Sequence, residues 1–211
     1  MKIAIIGAAG KQGSLLVEEA VRRGNDVTAV VRDRNELKNK DIAVIEKDLF
    51  ELTYEDVKDF PVIIDAFGAW TPETLPLHQT SLKHLADILS GHPNRLLVVG
   101  GAGSLYVDEQ KQLRLMDSEG FPDMFKPLAS NMGAAFDALQ QRDDVQWTYL
   151  SPAADFVADG ARTGAYKSGG DVVMVNSNNE SQISYADYAI AMIDEAENGQ
   201  HIQKRFTVVS L

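Results

Sequence analysis

The run Gly7-Ala8-Ala9-Gly10-Lys11-Gln12-Gly13 follows the apolar stretch Ile3-Ala4-Ile5-Ile6 and leads into Ser14-Leu15-Leu16-Val17. Glycines at this spacing, set between a strand-like and a helix-like stretch, suit the binding of a pyrophosphate. Gly7 allows a tight turn, Gly10 lets a phosphate approach the main chain, and Gly13 lets the helix pack closely on the sheet. The amides at the helix start and the positive end of its dipole then face the anion. Gly7, Ala9, Gly10 and Gly13 are the expected cradle, and Lys11 and Gln12 lie within reach of the phosphates. The spacing is G-x-x-G-x-x-G instead of G-x-G-x-x-G, so its meaning comes from context: a strand precedes, a helix follows, and a second strand closes a βαβ unit.

The elements that must position this loop are legible as short Val/Ile-rich runs alternating with amphipathic segments, the pattern of a parallel sheet covered on both faces. Strands are predicted at Lys2–Ile6, Asp26–Val31, Ala43–Glu46, Val62–Asp65, Arg95–Val99 and Gln146–Tyr149, with Phe206–Val209 closing the sheet. Helices are predicted over about 11–23, ended by Gly24-Asn25, and over about 76–90, 122–142 and 185–197, with short ones after Asp33 and around 54–58. Two insertions break the rhythm. Alternating apolar residues in 104–118 predict a small hairpin, and the Gly/Ala/Asp-rich stretch 152–170 predicts a functional loop. The fold class is therefore a doubly wound α/β Rossmann fold, with a mostly parallel central sheet, helices on both faces and small substrate-side insertions toward the C-terminus. It is read as a single domain over residues 1–211.

In such a sheet, ligands bind outside the carboxyl ends of the strands where the strand order reverses. The residues there are Gly7 to Gly13, Arg32, Asp48-Leu49, Ala66-Phe67-Gly68, Gly100-Gly101 and Ser151-Pro152-Ala153.

A net charge of −11, with no Lys/Arg block to act as a local exception, disfavours nucleic acid and anionic lipid as partners. The absence of cysteine removes disulfides, thiolate metal sites and a cysteine nucleophile, and the four histidines have no metal-site spacing. The apolar run after Met1-Lys2 stops at the glycines, too early for a signal peptide, and no stretch is long enough to span a bilayer. A soluble, cytoplasmic protein without a bound metal is expected.

Read together, these stretches resemble the atypical branch of the short-chain dehydrogenase/reductase superfamily, and more narrowly the bacterial proteins provisionally named NADH-flavin reductases, relatives of the flavin reductase/biliverdin-IXβ reductase type. The resemblance is carried by Lys2-Ile-Ala-Ile-Ile-Gly-Ala-Ala-Gly, Val30-Val-Arg-Asp33, Arg95-Leu-Leu-Val-Val-Gly-Gly101, Trp147-Thr-Tyr-Leu-Ser-Pro152 and Arg162-Thr-Gly-Ala-Tyr166. It implies an NAD(P)H-dependent oxidoreductase.

The end of the second strand bears on which dinucleotide is bound. A carboxylate there bonds a ribose diol, whereas a guanidinium holds a 2′-phosphate. Arg32 stands at that position, and the resemblance implies the same role, which favours NADP(H) over NAD(H). Asp33 could bond a ribose and Arg34 assist the phosphate. Asp48 and Leu49 are expected beside the adenine, although Asp48 reads equally well as a turn cap. Asp65 reads better as a satisfied core group than as a ligand.

Carbonyl reductases of the wider superfamily use a Tyr-x-x-x-Lys pair on the helix after the fifth strand. The one match here, Tyr54-Glu-Asp-Val-Lys58, lies between the third and fourth strands, and the helix at 122–142 has no tyrosine. The biliverdin-reductase relatives carry a Ser after the fifth strand and a His after the sixth, where this chain has Gly101 and Ala153. Ser104 is the weak substitute as a proton donor. A flavin or quinone-like acceptor suits a site without a strong acid, because the charge it gains is spread over a conjugated ring, so that orientation carries the catalysis. The acceptor pocket is expected to be framed by Phe67, Trp70, His78, Ser104, Phe156 and Tyr166, with Trp70 as a lid. The alternative is a non-catalytic NmrA-like dinucleotide sensor. A sugar-nucleotide epimerase is disfavoured by the short chain and the missing Tyr/Lys pair.

Overall fold

A computed structural model describes all 211 residues. Eight strands form the central sheet in the order β3-β2-β1-β4-β5-β6-β10-β8. These are β1 (Lys2–Ile6), β2 (Asp26–Val31), β3 (Ala43–Glu46), β4 (Val62–Asp65), β5 (Arg95–Val99), β6 (Gln146–Ser151), β8 (Tyr166–Gly169) and β10 (Lys204–Ser210). All pairs are parallel except β10 with β8. The first five strands have the bounds read from the sequence, since each is a short run rich in β-branched and apolar residues, buried in all but the edge strand β3.

Alternate residues of each strand feed two cores. Ile3, Ile5, Val27, Ala29, Ile64 and Leu97 point toward α1 (Lys11–Arg22) and α5 (Tyr185–Asn198). Ala4, Ile6, Ile63, Leu96, Val98 and Tyr149 point toward α3 (Leu77–Ile88) and α4 (Lys126–Leu139). The helices are therefore layered on both faces, two to a side. The crossovers flanking β3 are minimal: a 3-10 turn over Arg34–Glu36 and the four-residue α2 (Tyr54–Val57).

Three departures from the sequence reading concern the second half of the chain. Helix α4 starts at Lys126 and not at Pro122, because Pro127 has no amide to donate and is tolerated only in a first turn. The segment 104–118 closes through a single antiparallel bridge, Tyr106 to Arg114, instead of a full hairpin. The expected loop 152–170 contains β8 and also β7 (Asp155–Val157), which pairs in parallel with β9 (Gln182–Ser184) in a separate two-stranded sheet. Strand β6 runs on to Ser151.

Candidate functional site

The strand order reverses between β1, which continues leftward into β2 and β3, and β4, which continues rightward into β5 and β6. At this switch point Gly7 turns the chain with φ +71°, and a Cβ there would stand 2.6 Å from the Ala66 carbonyl oxygen at the end of β4. Gly7 receives its own support from Val30, to whose carbonyl its amide donates. Gly13 touches the same turn. Any side chain on it would press into the Gly7 carbonyl, with Gly7 C at 2.8 Å and Ala8 Cα at 2.9 Å. The two glycines thus hold loop and helix start at backbone contact.

Helix α1 begins with Gly10 as N-cap and no side-chain cap. The amides of Lys11, Gln12 and Gly13 take no acceptor from the protein. Unpaired first-turn donors at the positive end of a twelve-residue helix, on a turn that excludes side chains, fit a pyrophosphate. Lys11 is exposed beside them. Gln12 is not available to the phosphates: its side chain is buried and its Nε2 donates to the Tyr185 carbonyl, tying α1 to α5.

Arg32 follows β2 and is exposed, with no ion pair, and Arg34 likewise keeps its guanidinium free. Asp33 is used locally, capping the 3-10 turn through the Asn35 amide at 2.8 Å. Asp48 does the same for Phe50 at 2.9 Å, so of its two readings the cap is realised, and Leu49 is buried. Ala66 and Phe67 are half-buried and Gly68 is open beside them.

On the other side of the switch, Gly100 and Gly101 continue from β5. The Gly101 amide donates to the Tyr149 hydroxyl at 3.2 Å. The Tyr149 ring fills the space in which a Cβ on Gly100 would lie, with Cδ1 at 2.7 Å. Burial pushes the Tyr149 phenol up to about 12, so it holds the turn as a neutral group. Ser151, Pro152 and Ala153 are all buried at the end of β6. The Ser151 hydroxyl has no hydrogen-bond partner.

Four of the residues expected to frame the acceptor are turned elsewhere. Ser104 is 3% exposed, and its hydroxyl and carbonyl oxygens both accept from the Arg205 guanidinium, at 3.0 and 2.9 Å. Its O–H is not consumed by these bonds, but burial under Arg205 keeps it away from an acceptor at the sheet end. The Tyr166 hydroxyl donates to Asp194 at 2.7 Å, about 13 Å along α5 from the helix start. Phe156 packs on Tyr185 and Tyr188 with ring centroids 4.0 and 4.8 Å away, half-buried against the α1/α5 core. His78 is buried behind Phe67 and not at a mouth, its Nε2 beside the backbone of Ala69. Trp70 alone stands open, 71% exposed, with its indole Nε1 3.3 Å from the Cβ position of Gly68. The Tyr54/Lys58 match lies at the opposite end of the sheet: Tyr54 stacks on His92 and Lys58 pairs with Glu55.

Several positioning groups carried little signal in the sequence. Tyr149 sits in a buried strand and reads as core. Asp187 accepts from the Thr163 and Gly164 amides and from the Thr163 hydroxyl, strapping that segment onto α5. Glu19, buried in α1, meets Arg162 of the same strap as well as Arg22 and Arg23. Arg205 did carry a signal, a charge inside the apolar strand Phe206–Val209 region, and the structure shows why it is there: Asp171 pairs with it at 2.8 Å.

Asp65 is 5% exposed and accepts only the Phe67 amide, at 3.0 Å. Burial pushes its carboxyl up to about 6, against a smaller downward pull from that amide. Because the folded-state value lies above the unfolded one, the neutral acid is the form that folding favours. That contribution is complete below about pH 4 and is lost as pH rises through about 6. Asp65→Asn keeps the acceptor oxygen for Phe67 and cannot ionise. Urea unfolding of this variant should show a gain at pH 8 of up to about 3 kcal/mol and little change at pH 4. An equal effect at both values would contradict the assignment.

No helix is long and apolar enough to cross a membrane, and no group of His, Cys, Asp and Glu could hold a metal.

Comparison with known proteins matches residues 7–198 to a family described as NAD(P)H-binding. The uncharacterized Bacillus subtilis protein YwnB is 52% identical over 100% of this chain and 99% of its own length. A solved structure from Streptococcus pneumoniae, of a protein provisionally named an NADH-flavin reductase, is 48% identical with TM-score 0.96 and covers 100% of both chains. Another, from Bacteroides thetaiotaomicron and provisionally named an epimerase, is 40% identical with TM-score 0.86, covering 100% of this chain and 97% of the other.

Proposed function

Because the chain belongs to the NAD(P)H-binding family, we propose that it is an oxidoreductase that uses NADPH in preference to NADH to reduce a planar conjugated acceptor such as a flavin or a quinone. The observation that carries the reading is the set of unpaired first-turn amides of α1 at the switch point of the sheet. They would hold the pyrophosphate, with Arg32 on the 2′-phosphate and Leu49 and Ala66 beside the adenine. The Gly100-Gly101 turn, fixed by Tyr149, would form the floor under the nicotinamide. Ser151, Pro152 and Ala153 would close the far side. A nicotinamide bound there would supply the hydride, and the acceptor would take its accompanying proton from water.

The chain's own part is then orientation. Trp70, 71% exposed beside Gly68, offers an open aromatic face at the mouth. Met124 and Phe125, exposed just ahead of α4, add apolar surface at the same end of the sheet. The S. pneumoniae neighbour's name points the same way.

Trp70→Ala removes one stacking surface. Turnover of FMN should fall about tenfold, the equivalent of a single stacking interaction, with NADPH affinity unchanged. Equal loss of cofactor binding would place Trp70 elsewhere in the site.

A dinucleotide sensor is the second reading, and one observation favours it: the hydroxyl nearest to serving as an acid, Ser104, is buried beneath Arg205 and not open to an acceptor. Tight NADPH binding without turnover of FMN, FAD, riboflavin or a small quinone would select it.

A further inference from the structure

The segment from Phe67 to Trp70 is gripped at both ends by side chains that face away from solvent. At its start the Asp65 carboxylate accepts the Phe67 amide. Near its end His78, in the first turn of α3, reaches back so that its Nε2 lies 3.0 Å from the Ala69 carbonyl oxygen and 3.3 Å from the Ala69 nitrogen. One ring nitrogen cannot serve both at once. With the proton on Nδ1 it accepts from the Ala69 amide, and with the proton on Nε2 it donates to the carbonyl. Either tautomer therefore clasps the same residue.

The His78 ring makes no other hydrogen bond. Burial pulls its pKa below the usual imidazole value, so the ring is neutral at pH 7. Phe67 meets it edge-on at 5.6 Å. A cavity of about 20 Å³ lies between it and Asp65 and Tyr149, the titratable groups that face it, with Ser81, Met132 and apolar residues such as Leu82 and Val98 also lining it. That space admits a single water and no ligand. What the clasp controls lies on its other side: Ala69 is buried, and the next residue is the exposed Trp70.

Building on Trp70 as the acceptor-side wall, we propose that His78 is a positioning residue, which by clasping Ala69 fixes the direction in which the Trp70 indole faces the mouth. A histidine that merely filled the core would be replaceable by any ring of its size. One that clasps the backbone would be replaceable only by a group that brings a donor or an acceptor within reach of Ala69.

His78→Phe and His78→Gln separate these cases, because the Gln amide has an acceptor and a donor within reach of Ala69 and the Phe ring has neither. The readout is the time-resolved anisotropy of Trp70, with a Trp70→Phe protein used to subtract the emission of the buried Trp147. In His78→Phe the nanosecond component should grow and the KM for FMN should rise at least about threefold with kcat nearly constant. In His78→Gln both should return to the parent values, and NADPH affinity should stay constant throughout. Should His78→Phe not fold, His78→Asn, whose amide is too short to reach, takes its place. An unchanged Trp70 decay in the unclasped variant, or the same decay in both variants, would overturn the proposal. The anisotropy is independent of turnover, so an enzyme inactive with every acceptor would defeat the proposed function while this result still stood or fell separately.

Discussion

Gly13→Ala should abolish dinucleotide binding. A Cβ at this position lands on the Gly7 carbonyl, with Gly7 C and Ala8 Cα also inside 3 Å. These are backbone atoms of the turn and cannot swing aside as a side chain would. Either α1 lifts from the loop or the Gly7 turn opens. Overpacking against backbone costs about 3 kcal/mol or more, and the displaced helix start no longer aims the Lys11, Gln12 and Gly13 amides at one point. Each such donor to a charged phosphate is worth about 1.5–3 kcal/mol, so loss of two lowers NADPH affinity by about 100-fold or more. Calorimetric titration of the folded variant checks this, and circular dichroism establishes that it is folded. Parent-like affinity would mean that the phosphates lie elsewhere.

Arg32→Glu should invert the cofactor preference. The Arg32 guanidinium stands free at the end of β2, with no carboxylate competing for it. It is therefore not needed for the fold, and the Asp33 and Asp48 carboxylates nearby are already engaged in turn caps. Replacing it with a carboxylate removes a charge-assisted contact to the 2′-phosphate and sets like charges against each other. NADPH affinity should drop about 100-fold, whereas NADH, whose ribose 2′-hydroxyl can donate to the new carboxylate, should bind at least as well as before. Arg34→Ala should have a smaller effect of the same sign. Parallel titrations with the two cofactors would show it. Unchanged discrimination in Arg32→Glu would remove the basis for the NADPH preference.

How much of this was legible in the sequence follows from where each signal resides. The strands β1, β2, β4 and β5 are mostly buried apolar runs and the edge strand β3 a short half-exposed one, and their bounds are fixed by the residues themselves. The glycine loop is equally local, since Gly7, Gly10 and Gly13 state a backbone requirement at positions next to one another in the chain. Strands β7, β8 and β9 were not legible. They are three or four residues long and largely half-exposed, and they exist through distant pairings such as Tyr166 with Ser210 and Phe156 with Ile183. No period develops over such lengths.

The same division runs through the site. Its backbone components lie where the strand-end rule puts them. Its side chains were misjudged when their partners are remote. Ser104 is claimed by Arg205, about half the chain away, Gln12 by Tyr185, and Tyr166 by Asp194 at the lower part of α5. A serine after a strand and a tyrosine after a glycine look available in sequence because nothing local consumes their hydroxyls. His78 is the instructive case. Its position in the sequence suggests a group touching substrate, whereas the structure places it one layer behind, against the backbone that carries Trp70.

The proposed reductase would hold a reduced dinucleotide across the carboxyl ends of β1, β4 and β5 and take its hydride at the Trp70 side. Anaerobic mixing of the protein with NADPH and FMN, followed through the loss of reduced-nicotinamide absorbance, tests it most directly. Acceptor-dependent oxidation that saturates in both components, and that Gly13→Ala abolishes, is the predicted result. Saturable NADPH binding with no oxidation on FMN, FAD, riboflavin or a small quinone would contradict it.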